Sequence, residues 1–577
     1  MATFMRPTHI SPHIWIRRGA SHLCSNTKSQ APFIYISSRN TRLSSTMART
    51  YESALSHLAA LQSNKAITSL FTPPPSSSTG PKQDLNALAI PEMQAWLLRA
   101  GISTSDLTNS GLRCIHVAGT KGKGSVCAYL TALLSHSSDS ETRELAGKVG
   151  TYTSPHLVSV RERIAINGEA ISRDLFARYF FEVWDACTEA ARAELASQRS
   201  NSDGKGEEIS EEHLTGPATK PFYFRFLTLV ALRAFLGEGV RSAVIECGIG
   251  GEYDSTNVLP AELITASVIS QLGIDHVGML GGTLPEIAWH KAGVCKAGRK
   301  CFTRRLEGEE TMRVLRKRAE EKNATLVEVE DEDVVRWGGV EKGAGSLEGE
   351  FQKYNQALAV LAAREHLRVI AGETSTYQPE NHKLEDIPVS FTSALQYARL
   401  RGRCETREDE TAPITWLIDG AHTAESLTEV ARWFVGKMKT NPDGNTILLF
   451  NQQDRDAGRL VTGLLRDIET NNNQGEKKQK QLFTHALFTR NDIHPRILSG
   501  EEAEPERDLT VQTTAAKAMQ ETAPDTTTRV LDNVSDAVAE ARSIANQDGS
   551  RRTTVLVTGS LHLVGALLRT LEPEAED

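Results

Sequence analysis

Leu112-Arg113-Cys114-Ile115-His116-Val117-Ala118-Gly119-Thr120-Lys121-Gly122-Lys123-Gly124-Ser125 is the stretch that decides the fold. Leu112 to Val117 reads as a buried strand, and the glycines that follow read as a tight turn. Val126, Leu130, Leu133 and Leu134 then recur at helical spacing. A strand that passes through such a turn into a helix can cradle phosphate. Backbone N–H groups and the helix N-terminus offer partial positive charge, and Lys123 adds a full one. The strict phosphate-loop pattern places Ser or Thr directly after Gly-Lys, whereas here Gly124 stands before Ser125. A plain structural turn is the rival reading.

Working outward, Lys148–Thr153, Ser242–Cys247 and Ile264–Ser270 read as further short buried strands, and Phe222–Leu236 as an apolar helix. Thr415–Ile418, Thr446–Phe450, Ala486–Thr489 and Val555–Val557 continue the series, with helical patterns between them. This alternation predicts an α/β protein with a mainly parallel sheet covered by helices. Ala196–Lys220, Gly338–Gly349, Thr470–Gln481 and Ser499–Asp508 are polar or Gly-rich and read as surface insertions, and Pro73–Ser78 as a stiff loop.

Composition excludes several classes. The 577 residues are 39% hydrophobic and 24% charged, the balance of an ordinary globular protein. No run approaches the ~18 apolar residues that a membrane span needs, so no integral membrane segment is expected. The eight cysteines form no C-x-x-C pair, which indicates neither a zinc ribbon nor a disulfide framework. Seven positive charges precede the first acidic residue, Glu52, so the net charge of −8 for the whole chain becomes −15 for residues 52–577. A body this acidic argues against a nucleic-acid partner. Residues 1–46 are rich in Arg and Ser and free of Asp and Glu, the composition of a mitochondrial transit peptide. Met47 offers a second start without that address.

Ligands of open α/β sheets sit beyond the carboxyl ends of the strands, so the polar residues there are the candidates. Glu246 is a carboxylate in an apolar run, a costly placement unless it is paired or bound to metal. Asp275-His276 follows the next strand and Ser154 an earlier one. These oxygens and one imidazole suit a divalent ion, His276 least comfortably if the ion is Mg²⁺. Asp419, with Gly420-Ala421-His422 after it, makes the same kind of site in the C-terminal half. Gly248-Ile249-Gly250-Gly251 imitates a dinucleotide fingerprint, but Tyr253 stands where the third glycine belongs.

Five blocks in register carry a resemblance. His116–Ser125, Ser154-Pro155-His156-Leu157 with Val160–Ile164, Ile245–Gly251, Gly273–His276 with Ile287–Gly293, and Asp419–Thr423 with Thr558-Gly559-Ser560 resemble the folylpolyglutamate synthases, within the wider family of Mur ligases. Lys121 in the loop and Thr423 after His422 resemble the eukaryotic branch. The resemblance implies a phosphate-loop-type ATP- and folate-binding domain over 47–400 and a smaller Rossmann-like domain over 401–577. It assigns ATP to Gly119, Gly122, Lys123, Gly124, Ser125, Arg403 and Asp419. Arg401 is a rival for the role of Arg403, because Arg401-Gly402 replaces the family's usual Pro-Gly or Pro-Ala. Mg²⁺ is assigned to Ser154, Glu246 and His276, and Lys123, Lys291 and His422 become the catalytic candidates.

The implied activity is ATP-dependent addition of L-glutamate to tetrahydrofolate and its polyglutamates through an acyl phosphate. It would run in mitochondrion and cytoplasm, with peripheral association at the inner membrane or in the matrix, and the family admits a monovalent cation beside Mg²⁺. Dihydrofolate synthase is the rival within the class, and a non-catalytic nucleotide switch or scaffold the rival outside it. Lys291 has two readings. It caps a helix C-terminus, where cations are favoured; or, as in related ligases, it is carboxylated by CO₂ and becomes an anionic oxygen ligand for a second Mg²⁺.

Overall fold

The computed structural model describes residues 49–61, 86, 88–201, 210–340, 347–372, 384, 387–440, 444–453, 456–472, 482–497, 504–547 and 552–573. The expected transit segment and the Pro73–Ser78 loop lie outside them. Two sheets organise the rest. The first has eight strands: β1 (Arg113–Ala118), β2 (Val149–Tyr152), β3 (Ile164–Ile166), β4 (Glu169–Ala170), β5 (Ser242–Glu246), β6 (Ile264–Ile269), β7 (Lys300–Arg304) and β8 (Thr325–Val329). Their order is β4-β3-β2-β5-β1-β6-β7-β8, parallel except at β3 and β4. The second has β9 (Glu405–Glu408), β10 (Ile414–Ile418), β11 (Thr446–Phe450), β12 (His485–Thr489), β13 (Thr527–Leu531) and β14 (Thr553–Thr558). Its order is β13-β12-β11-β14-β10-β9, with only β9 antiparallel.

Burial explains the strands that were readable. β5, β6, β11 and β14 are buried at every residue, so each appears as a continuous apolar run. The edge and near-edge strands were not expected. β7 carries Lys300 and Arg304 at its ends, and β8 and β13 are only partly buried, which breaks the apolar run that betrays a strand. The insertion at Ala196–Lys220 also needs correction. The helix Arg173–Asn201 runs into it and the helix Glu211–Thr215 follows. Leu214 is buried, and the Lys220 ammonium sits 4.7 Å from the Trp184 ring centroid. Its described part is thus built into the fold at its end, where Lys220 itself is buried.

Register places the functional loops side by side. Val117 pairs with Glu246, Ala118 with Ile269 and Tyr152 with Ile245. The chain therefore leaves β1, β2, β5 and β6 at one level. In the second sheet Ile418 pairs with Val557 and Leu449 with Val557, which aligns the exits of β10, β11 and β14. Among the described residues no helix is long and apolar enough to cross a membrane.

Candidate active site

The exits of both sheets open on one cavity of about 1130 Å³. Its floor is the glycine loop. Gly119 and Gly122 have φ of +147° and +84°, a side chain on Gly119 would strike Ser270 Oγ, and one on Gly122 would strike Asn355 Oδ1. The loop is pinned from β6, because Thr120 N and Lys121 N donate to Gln271 O at 2.9 and 3.1 Å, and Ser270 Oγ donates to Lys121 O at 2.7 Å. The helix Lys123–Ser135 starts at Gly122. The amides of Lys123, Gly124 and Ser125 thus fall among those a helix leaves without internal partners. Lys123, Gly124 and Ser125 line the cavity, so the interposed Gly124 does not remove the cradle.

Glu246 lies beside that loop, 3% exposed, and its Oε2 accepts the Ser154 N–H at 3.0 Å. Burial pushes its carboxyl above the ordinary carboxylate value, against the pull of Lys123, the Ser154 amide and Arg403. Ser154, Asp275 and His276 share the wall. His276 is half-exposed at φ +50°, with its Nε2 4.0 Å from Asp275 Oδ2. Desolvation holds its ring below the usual histidine value, with Lys123, Lys291 and His422 pushing the same way against Asp275, and the neutral form is the one that ligates metal. Among the described residues no three His, Cys, Asp or Glu side chains gather as a metal group. The donors for an ion are therefore mixed: the Ser154 hydroxyl, the Glu246 carboxylate and the His276 imidazole. A divalent ion fits this set, because Glu246 is a buried acid in need of positive charge.

Lys291 and Gly119 lie one layer behind the cavity lining. The helix Leu284–Lys291 begins at a Thr283–Glu286 capping box with Pro285 in its first turn. Its far end abuts the second glycine loop. Glu252 N donates to His290 O at 2.7 Å, and a side chain on Gly251 would meet the His290 and Lys291 carbonyls. Those glycines serve close backbone packing. Lys291 is 3% exposed and donates to Gly119 O at 2.7 Å. Its ammonium is turned to the nucleotide loop, not to its own helix end, which overturns the capping reading. Burial, then the charge of Lys123, lowers its pKa to about 7.

The second lobe brings Arg403, Asp419 and His422 to the same cavity. Asp419 is 7% exposed, and its two oxygens accept Cys404 N and Ala421 N, both at 2.8 Å. It thereby fixes the turn that presents Arg403. Arg401 is engaged elsewhere, donating to Glu572 Oε1 at 2.7 Å, so the geometry favours Arg403. His422 Nδ1 lies 3.1 Å from Gly420 O. Among the lining residues that had no role in the sequence reading are His156, Arg163, His562 and Arg569. The first two stood within a quoted block. The last two follow Thr558-Gly559-Ser560 on the helix Leu561–Leu571, and their place after a strand exit was the available signal.

Relatives decide what this cleft belongs to. The chain is 35% identical over 541 residues to folylpolyglutamate synthase of Neurospora crassa, covering 92% of this chain and 93% of that protein. It is 36% identical over 535 residues to folylpolyglutamate synthase of Saccharomyces cerevisiae, covering 90% and 87%. The chain belongs to the folylpolyglutamate synthase family. No family model matches the sequence. Solved folylpolyglutamate synthases share the fold: the Mycobacterium tuberculosis enzyme complexed with ADP superposes with a TM-score of 0.59 at 23% identity, over 90% of this chain and 99% of that one. A bifunctional folylpolyglutamate synthase/dihydrofolate synthase with Mn, AMPPNP and L-glutamate bound gives 0.53 at 19%, over 91% and 98%. The two-sheet α/β architecture is that of the family.

Proposed function

We propose that this chain adds L-glutamate to the side-chain γ-carboxyl of tetrahydrofolate and its polyglutamates, coupled to conversion of ATP to ADP and phosphate. The observation that carries the reading is the single cavity on which Lys123, Ser154, Glu246, His276, Arg403 and His422 converge from two lobes. A nucleotide switch needs the glycine loop but not the rest.

A carboxylate is a poor acyl donor, because its leaving group would be oxide. Its oxygen first attacks the γ-phosphorus of ATP, the bond to the β–γ bridging oxygen breaks, and ADP departs from an acyl phosphate. The amine of glutamate then attacks the acyl carbon, loses a proton and expels phosphate. The loop amides and Lys123 hold the phosphates, and Arg403 adds a second cation from the other lobe. A divalent ion on Ser154, Glu246 and His276 would offset phosphate charge. The walls contributed by both lobes keep water from the acyl phosphate.

Lys291 is read as the carboxylated lysine of this site. An amine with a pKa about 7 has the lone pair that attacks CO₂, giving a carbamate and a proton. Residues 1–46 serve as a mitochondrial address, and a start at Met47 supplies a cytosolic form. A reporter fused to 1–46 that stays diffuse in the cytosol defeats that part. The central experiment is incorporation of labelled glutamate with ATP and Mg²⁺, offering tetrahydrofolate and dihydropteroate in parallel. Tetrahydrofolate is the expected acceptor, and exclusive use of dihydropteroate overturns the reading.

A further inference from the structure

We propose that Arg163, together with the His156 ring it orients, seats a carboxylate of the incoming L-glutamate; this rests on the ligase reading above. Arg163 lines the cavity yet is only 8% exposed. A guanidinium this buried is normally matched to an acid. Among the described residues no carboxylate lies within ion-pair distance of it. The side chains it meets are neutral: Nε donates to His156 Nδ1 at 2.8 Å, and the guanidinium carbon lies 5.5 Å from the Tyr223 ring centroid. Glu246 feels its charge only after Lys123, the Ser154 amide and Arg403. The buried cation therefore lacks an anion, and a substrate carboxylate supplies one.

The donor pattern fits a carboxylate. With Nε committed to His156, the two terminal nitrogens of the fork remain, the geometry that takes a carboxylate in bidentate fashion. Guanidinium can only donate, so His156 Nδ1 must accept, and the neutral ring carries its proton on Nε2. Arg163 and His156 thus present N–H groups together.

Position points to the amino acid. His156 is two residues from Ser154, so the pair stands beside the phosphoryl end of the cleft. Facing it is the helix Leu561–Leu571, tied to the same loop by Arg569 Nη2 donating to Val158 O at 2.7 Å, and carrying His562. Basic groups from both lobes gather here in a body that is otherwise strongly acidic. Glutamate brings two carboxylates that need seats, whereas the folate tail leaves only one beside the carboxyl under attack.

The test uses the whole enzyme with Arg163→Met and Arg163→Lys. Arg163→Met should raise the KM for glutamate roughly tenfold or more, with the KM values for ATP and tetrahydrofolate within about twofold of wild type. Arg163→Lys should recover part of the loss. Acyl phosphate formation, trapped by hydroxylamine as the hydroxamate in the absence of glutamate, should keep its wild-type rate, which a merely structural defect would not spare. An unchanged glutamate KM overturns the proposal, as does a rise in the tetrahydrofolate KM instead, which would give Arg163 to the acceptor's spare carboxylate. Should Arg163→Met fail to fold, His156→Phe carries the same expectation for glutamate KM and the same power to overturn. If wild-type enzyme incorporates no glutamate, it is the ligase reading that falls.

Discussion

Two buried carboxylates sit at equivalent places in the two lobes, Glu246 at the end of β5 and Asp419 just past β10. Burial raises the pKa of both. Their surroundings differ. Asp419 has both oxygens filled by backbone amides, Cys404 N and Ala421 N, whereas Glu246 accepts one, from Ser154. The first acid is completed by its own chain and serves to hold a turn. The second is left with acceptor capacity beside a lysine loop, and is completed by what binds. One sheet exit leaves a buried acid with open acceptor capacity, and the other uses its acid to hold the turn that carries Arg403.

The largest effect expected from breaking this arrangement is at Lys123. Lys123→Ala should lower turnover by ~10²–10³-fold at saturating ATP, the scale of removing a charge that stabilises a transferring phosphoryl group. The thermal midpoint should stay near wild type, because the side chain lines the cavity and not a core. Retention of a tenth of wild-type turnover would remove Lys123 from the phosphate site.

The comparison itself is sharpened by paired amide substitutions. Glu246→Gln keeps a carbonyl oxygen for Ser154 N and removes a buried charge, so activity should collapse while stability holds or rises at pH 7. With its carboxyl raised in the fold, Glu246 costs stability as pH climbs above its unfolded value, so the gain should shrink as pH falls toward 4. Asp419→Asn instead turns an NH₂ toward one of two backbone amides and should cost ~1–3 kcal/mol of stability. Denaturant unfolding of both variants decides it. Equal destabilisation would show that the two acids play one structural role.

Lys291 offers a test of sign. Its amine has a pKa about 7 in the fold against 10.5 ordinarily. Between those values the unfolded chain binds more protons, so stability rises with pH there, and the penalty of the buried charge is full below 7. Lys291→Met should therefore stabilise by up to several kcal/mol near pH 6, with the gain fading toward pH 10. The same variant should lose activity, and added acetate should restore part of it if a carbamate oxygen is what is missing. A flat pH dependence would remove the buried-amine account.

Much of this was legible because buried parallel strands are apolar runs and because Gly119, Gly122 and Gly124 can be placed between a strand and a helix by pattern alone. β7, β8 and β13 escaped because charged or half-exposed positions interrupt them. The site was legible where residues follow strand exits in sequence, as with Glu246, Asp419 and Lys123. Facts that depend on where the chain returns in space were not. The choice between Arg401 and Arg403 required Glu572, which lies 171 residues from Arg401. Lys291 kept two readings in sequence because only the fold brings its Nζ to Gly119 O, 172 residues away.

The smallest expected effect lies where the two lobes touch across the nucleotide loop. Lys121 Nζ is 3.4 Å from Glu425 Oε2, with side chains 28% and 69% exposed, the first on the glycine loop and the second in the first turn of the helix Ala424–Thr440. An exposed pair of this kind is worth about 0–1 kcal/mol and is screened by salt. A double-mutant cycle of Lys121→Ala and Glu425→Ala should give a coupling below ~1 kcal/mol that vanishes by about 1 M salt. Its KM for ATP should move by no more than about threefold, because the pair adjoins the phosphate cradle without forming it. If the coupling instead proves large and insensitive to salt, the contact is a fixed part of the cleft. The loop and the second lobe would then be one rigid unit, and the contrast between the two sheet exits would have to give way to a single preformed site.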